Sequence, residues 1–134
     1  EKMTSEIGTA LNSTETSVAM LKVLAENSFD SILVTDTTAK GKIVYANKAF
    51  KKLTGYDPDK VVGKTPRILQ GAATDKKVID RLSKALKNGR KFEGKAINYK
   101  KDGTPFIMYW RVVPITVGKK IEAWVAIQRE GSAI

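Results

Sequence analysis

The sequence predicts an α+β fold: a five-stranded antiparallel sheet with short helices on one face and an amphipathic helix at the N-terminus. Three observations carry this expectation. The C-terminal third alternates apolar and polar residues through three runs, broken at Asp102-Gly103 and Gly118, the pattern of an antiparallel meander. The N-terminal half holds two shorter runs of strand formers on either side of a Lys40-Gly41 turn. Between these lie short helical segments, opened by Asn47, Asp57-Pro58 and Thr74 or Asp75. At 134 residues the chain is long enough for one domain with its own core.

Composition excludes several classes. A chain 42% hydrophobic and 28% charged is an ordinary water-exposed globular one, and no apolar run approaches the roughly 20 residues a membrane span needs. The chain opens without Met or a signal-peptide pattern, as expected of a piece of a longer, cytoplasmic protein without membrane contact. Cysteine is absent, which removes disulfides, thiolate catalysis and zinc-thiolate sites. Histidine is absent too, and with it the usual general base and the commonest metal ligand. We therefore expect no classical enzyme. A net charge of +10 raises nucleic acid as a partner. The lysines are dispersed over surface helices with few aromatics between them, which favours a solvated basic face.

Taken in order, Met3, Ile7, Ala10, Thr14, Ser17, Leu21 and Leu24 keep a coiled-coil spacing. Two readings follow for residues 1–27: a tail before one amphipathic helix from Thr16 to Asn27, or a signalling helix that pairs with its twin. Ser31 to Thr35 forms the first strand and ends at Asp36; Lys42 to Ala46 forms the second. Asn47 caps a helix from Lys48 to Leu53, which Gly55 stops. Asp57-Pro58 caps and starts a short helix ending near Gly63. The stretch Gly63 to Gly71 then places Arg67 and Gln70 around two large apolar residues, Ile68 and Leu69. Those apolar residues imply that part of it faces inward, where Arg67 would need a negative partner.

Thr74 or Asp75 caps a helix to about Lys87, with Val78, Ile79, Leu82 and Leu86 as its apolar stripe, and Asn88-Gly89 ends it. The closing strands run from about Phe92 to Tyr99, Thr104 to Ile115 and Ile121 to Arg129. Alternation puts Phe92, Gly94, Ala96 and Asn98 on one face, with Phe106, Met108, Trp110 and Val112, then Trp124, Ala126 and Gln128. Asn98 and Gln128 thus share a face with large aromatics. A buried amide without a partner costs about 1–3 kcal/mol, so each bonds either to the chain or to a polar heterocycle in a pocket. The opposite face carries Ile107, Tyr109, Val113, Val125 and Ile127, so it also needs a cover. The Met20-Leu21-Val23-Leu24 helix or a second subunit would supply it.

Four motifs carry a resemblance over roughly Glu26 to Arg129. Gly63, Arg67, Leu69, Gln70 and Gly71 match the signature of the LOV-type, flavin-binding branch of the PAS sensor domains. The run 43–56, with Asn47, Ala49, Phe50 and Leu53-Thr54-Gly55-Tyr56, is similar to the PAS core; 98–106 is close to the LOV strand motif; Gln128 falls on the branch's signalling glutamine. Phe92-Glu93-Gly94 is closer to flavin redox sensors. Thr65 stands where the branch has Asn, Pro66 where it has its photoactive Cys, Met108 where it has a second Asn, and Asp80 where it has a second phosphate-binding Arg, with Arg81 and Lys77 beside it.

The resemblance implies a PAS fold over 28–131 that binds a flavin non-covalently, FAD slightly ahead of FMN. Arg67 would hold phosphate, Asn98 and Gln128 the ring, and Gln70 the ribityl chain or ring. Thr35, Asn47, Leu69 and Met108 would complete the pocket with Trp110 and Trp124. It implies a redox-sensing input module without cysteinyl photochemistry, joined to an output domain and forming a homodimer through the N-terminal helix and sheet face. The rival expectation is a flavin-free module for dimerisation or small-ligand sensing.

Overall fold

The computed structural model describes residues 14–132. Met3, Ile7 and Ala10 of the coiled-coil spacing lie outside the described residues. Four helices are α1 (Thr14–Glu26), α2 (Lys48–Thr54), α3 (Pro58–Val61) and α4 (Lys76–Lys87), with a 3-10 turn at Pro66–Leu69. The strands are β1 (Ser31–Thr35), β2 (Ile43–Ala46), β3 (Phe92–Tyr99), β4 (Pro105–Val117) and β5 (Lys120–Glu130).

All strand pairs are antiparallel, in the order β2-β1-β5-β4-β3. The last strand therefore lies between β4 and β1, with Ser31 opposite Gln128 and Thr35 opposite Trp124. Alternation fixes the faces as the sequence implied. Leu33, Phe92, Ala96, Phe106, Met108, Trp110, Val112 and Trp124 point inward and join Phe50, Val61 and Leu69 in one core. The short helices cover this inner face because each brings a few apolar residues to it: Phe50 from α2, Val61 from α3, and Val78, Ile79, Leu82 and Leu86 from α4.

Local chemistry sets the ends of these helices. Asn47 accepts a hydrogen bond from the Phe50 amide and opens α2; Gly55 closes it with φ at 81°, where a Cβ would be strained. Asp57 caps α3 and Pro58 fills its first turn, where a missing amide proton costs nothing. After the 3-10 turn, Gly71 lets the Tyr99 ring approach so closely that a Cβ would sit 2.3 Å from it, and the Tyr99 hydroxyl accepts from the Ala73 amide at 2.8 Å.

Two expectations are corrected. Helix α1 begins at Thr14, ahead of Thr16, and it does not cover the sheet. None of its residues is buried, and Leu21 remains 64% exposed. The outer face keeps Ile107, Tyr109, Val113, Val125 and Ile127 half-buried, with Ile115 and Val117 exposed.

Candidate functional site

A cleft of about 310 Å³ separates the inner face of the sheet from α4 and the 3-10 turn. Its floor is Leu33 and Thr35 of β1, Trp110 and Val112 of β4, and Trp124, Ala126 and Gln128 of β5. Pro66, Arg67 and Gln70 line one wall; Ile79, Leu82, Ser83, Leu86 and Lys87 of α4 line another. The β1–β2 loop, from Asp36 to Gly41, forms the rim.

The floor is built by strand alternation. Trp110 and Trp124 are 9% and 7% exposed, so each belongs to the core and presents only a small apolar surface to the cleft floor. Phe92 supports Trp110 from behind, ring centroids 5.2 Å apart and tilted 46°. Gln128 is buried, and its Oε1 accepts from the Ser31 hydroxyl at 2.9 Å. That bond crosses from β5 to the first residue of β1, one step from the chain that leads out of α1.

The loop at the rim is held by Asp36. Its Oδ1 accepts from the Thr38 hydroxyl at 2.6 Å, the Thr38 amide at 3.1 Å and the Lys42 amide at 2.9 Å. These bonds, the Thr38 hydroxyl foremost, hold the Asp36 carboxyl below its ordinary value, so it stays ionised and turned toward its own loop.

The expected site residues divide. Thr35, Arg67, Gln70, Trp110, Trp124 and Gln128 meet in the cleft. Arg67 is exposed and forms no ion pair among the described residues, so the expectation of an inward, paired arginine is corrected: it stands at the mouth. Leu69 is packed in the core. Asn98 and Met108 lie behind the cleft, 5% and 2% exposed, with the Asn98 Nδ2 donating to the Met108 thioether at 3.7 Å. A thioether is a weak acceptor.

Asn47 is not a candidate ligand. Its Oδ1 accepts from the Ile32 and Phe50 amides, and its Nδ2 donates to the Ala25 and Asp30 carbonyls, so both atoms are committed. Asp80 is exposed and absent from the cleft lining, and Arg81 beside it is committed to the Phe92 ring, 4.7 Å away, and the Glu93 carbonyl. Sequence reading missed Ser31, Ser83, Lys87 and the rim loop. Ser31 shares the parity of Leu33 and could have been found that way; the loop has no periodicity to reveal its position.

Among the described residues no group of carboxylates suits a metal ion, and no helix is long and apolar enough to cross a membrane.

Residues 30–132 match the family profile described as a PAS domain. Over 86 residues the chain is 42% identical to phototropin-1A of Oryza sativa subsp. japonica, covering 63% of this chain and 9% of that protein. It is 41% identical over 73 residues to a blue-light-activated histidine kinase of Brucella anthropi, covering 54% of this chain and 15% of the kinase. A solved light-oxygen-voltage domain studied with a flavin analogue superposes with a TM-score of 0.78 at 28% identity, covering 86% of each chain. The chain thus spans a small part of the length of the curated relatives it matches.

Proposed function

The chain belongs to the PAS domain family, as a sensory domain of its light-oxygen-voltage type, and on that premise we propose that it binds a flavin non-covalently and signals the ring's redox state. The residues present suit the group. The apolar floor that includes Trp110 and Trp124 suits an aromatic ring, the Gln128 amide offers a donor and an acceptor to a polar edge, and Arg67 lines the cleft as an exposed cation that a phosphate could meet. A bound flavin supplies a ring that takes up electrons and a proton.

The single observation that carries the reading is the buried Gln128 amide at the cleft floor, bonded on its other side to Ser31. A side-chain amide can present oxygen or N–H. If Gln128 turns its N–H toward Ser31, that hydroxyl, which now donates, must accept instead. The change is local, but Ser31 adjoins Asp30, whose carboxylate accepts from Arg129 at 2.8 Å and whose carbonyl accepts from Asn47. Asn47 in turn holds the Ala25 carbonyl in the last turn of α1. A turn of one amide thereby biases the exit of α1.

The chain has no cysteine, and Pro66 occupies the cleft wall, so a thiol adduct has no nucleophile here. Asp80, the departure that suited a dinucleotide, is absent from the cleft lining, so FMN is the better supported flavin and FAD the second. The reading carries with it a cytoplasmic protein joined to an output domain and a homodimer; the exposed apolar residues of α1 favour the dimer.

The test is an absorption spectrum of the purified protein, then chromatography of what heat releases. A structured flavin band supports the reading and retention tells FMN from FAD; a colourless protein that neither flavin reconstitutes overturns it. Gln128→Leu should bind flavin more weakly and, in the fraction that holds it, lose the redox-dependent change in α1; a variant that keeps that change overturns the amide mechanism. A second reading, a flavin-free module for dimerisation or small-ligand sensing, is favoured by the Asn98 amide, which bonds within the chain to Met108 and not into the cleft lining.

A further inference from the structure

We propose that the face formed by α2, α3, the 3-10 turn and α4 binds the phosphate backbone of a nucleic-acid duplex without reading its sequence. Residues 48–91, which hold these elements, carry 13 of the 24 lysines and arginines but four of the 14 acids. The rest of the chain is close to neutral, so almost all of the +10 charge belongs to this layer. Cations spread along the sequence thus gather on one side of the fold, and all 13 are exposed. Arg67 and Lys87 line the cleft, and Arg81 donates to the Glu93 carbonyl. The other ten form no ion pair, because the four ion pairs among the described residues all lie outside 48–91. Of the four acids, Asp57 and Asp75 accept from the Asp59 and Lys77 amides as helix caps and so face their own backbone.

The charge also has breadth. Helix α3 packs on β2, α2 on β1 and α4 on β3, so the layer spans the sheet from edge to edge, roughly 19 Å at about 4.8 Å per strand. A duplex carries one charge per about 1.7 Å of its axis, so several cations meet phosphates at once. The chemistry of the surface selects this partner. A single strand needs exposed aromatic rings on which its bases stack, and a membrane or a protein needs apolar anchors. Residues 48–91 expose no aromatic side chain, and Val62 is their one exposed large apolar residue. Nine of the ten uncommitted cations are lysines, point charges that hold phosphate without the fork that reads a base edge.

The experiment follows the fluorescence anisotropy of labelled DNA and RNA duplexes, two unrelated sequences of each, from about 50 to 200 mM salt. Wild type is compared with Lys48→Gln/Lys51→Gln/Lys52→Gln on α2 and Lys76→Gln/Lys77→Gln/Lys84→Gln on α4. A control, Lys95→Gln/Lys119→Gln/Lys120→Gln, makes the same charge change on the strands. All nine lysines are exposed, so each variant should keep its thermal midpoint. The two sequences should bind alike, and affinity should fall with salt. Each helical triple should lose roughly tenfold or more at the lowest salt, its log–log salt slope shallower by about 0.9 per phosphate contact removed, with the control near wild type. Binding of either duplex in this pattern supports the surface, and the tighter one names its source. A control that weakens as much as the helical triples overturns it, since net charge alone then explains binding. So does equal or tighter binding to a single strand or to phosphatidylserine vesicles, or no binding at the lowest salt.

Discussion

Asn47 is the residue on which most of the N-terminal half depends. It is fully buried and makes four hydrogen bonds, joining α1, the Asp30 turn, β1 and α2. Asn47→Ala removes all four; the Phe50 amide keeps the Asn47 carbonyl and the Ala25 carbonyl keeps the Ser28 amide, but the joint between α1, β1 and α2 is lost, so we expect a loss of about 2–4 kcal/mol in urea unfolding. Sequence reading could weigh capping against ligand contact at this position but could not decide, because a capping signal and a pocket amide are the same residue type. Gln128 was legible for the opposite reason: its strand parity put it beside Trp124 and Trp110 before any coordinate did. Arg67 misled, because two apolar neighbours implied burial, while a 3-10 turn lets Leu69 enter the core as Arg67 faces out.

At the scale of elements, α1 is held at its C-terminal end through Ala25 and Glu26. The Tyr45 hydroxyl of β2 donates to Glu26 Oε1 at 2.9 Å, and burial, then that carboxylate, pushes the Tyr45 hydroxyl up to about 12 from 10.0. A raised value means that the neutral hydroxyl is favoured in the folded chain. Its contribution is fully present below pH 10 and is lost as pH rises through about 12. The stability gap between wild type and Tyr45→Phe should therefore be constant up to pH 10 and close by about 12, followed by amide exchange in α1 and urea midpoints. Strands and most helix limits were legible because caps and alternation are local. The exposure of α1 was not: an apolar stripe says that a helix wants a cover, not which chain provides it.

The whole molecule depends on a non-local pairing. The order β2-β1-β5-β4-β3 places the final strand at the centre of the sheet, and no local pattern in the sequence states that order. The floor of the cleft combines β1 with β4 and β5, so the site exists only when the ends of the domain meet. Deleting residues from Lys120 onward should abolish cooperative unfolding and flavin binding together, read by calorimetry and by flavin fluorescence. The Ser31–Gln128 bond spans 97 positions of sequence. Closing a loop of that length is entropically slow compared with forming hairpins or helix turns. On a ribosome, α1, β1 and β2 emerge long before β5 is made, so the nascent chain has no pocket until its last strand arrives. The contact proposed to carry the signal is thus also one of the last to form, and a chain able to hold the ligand is already one able to report it.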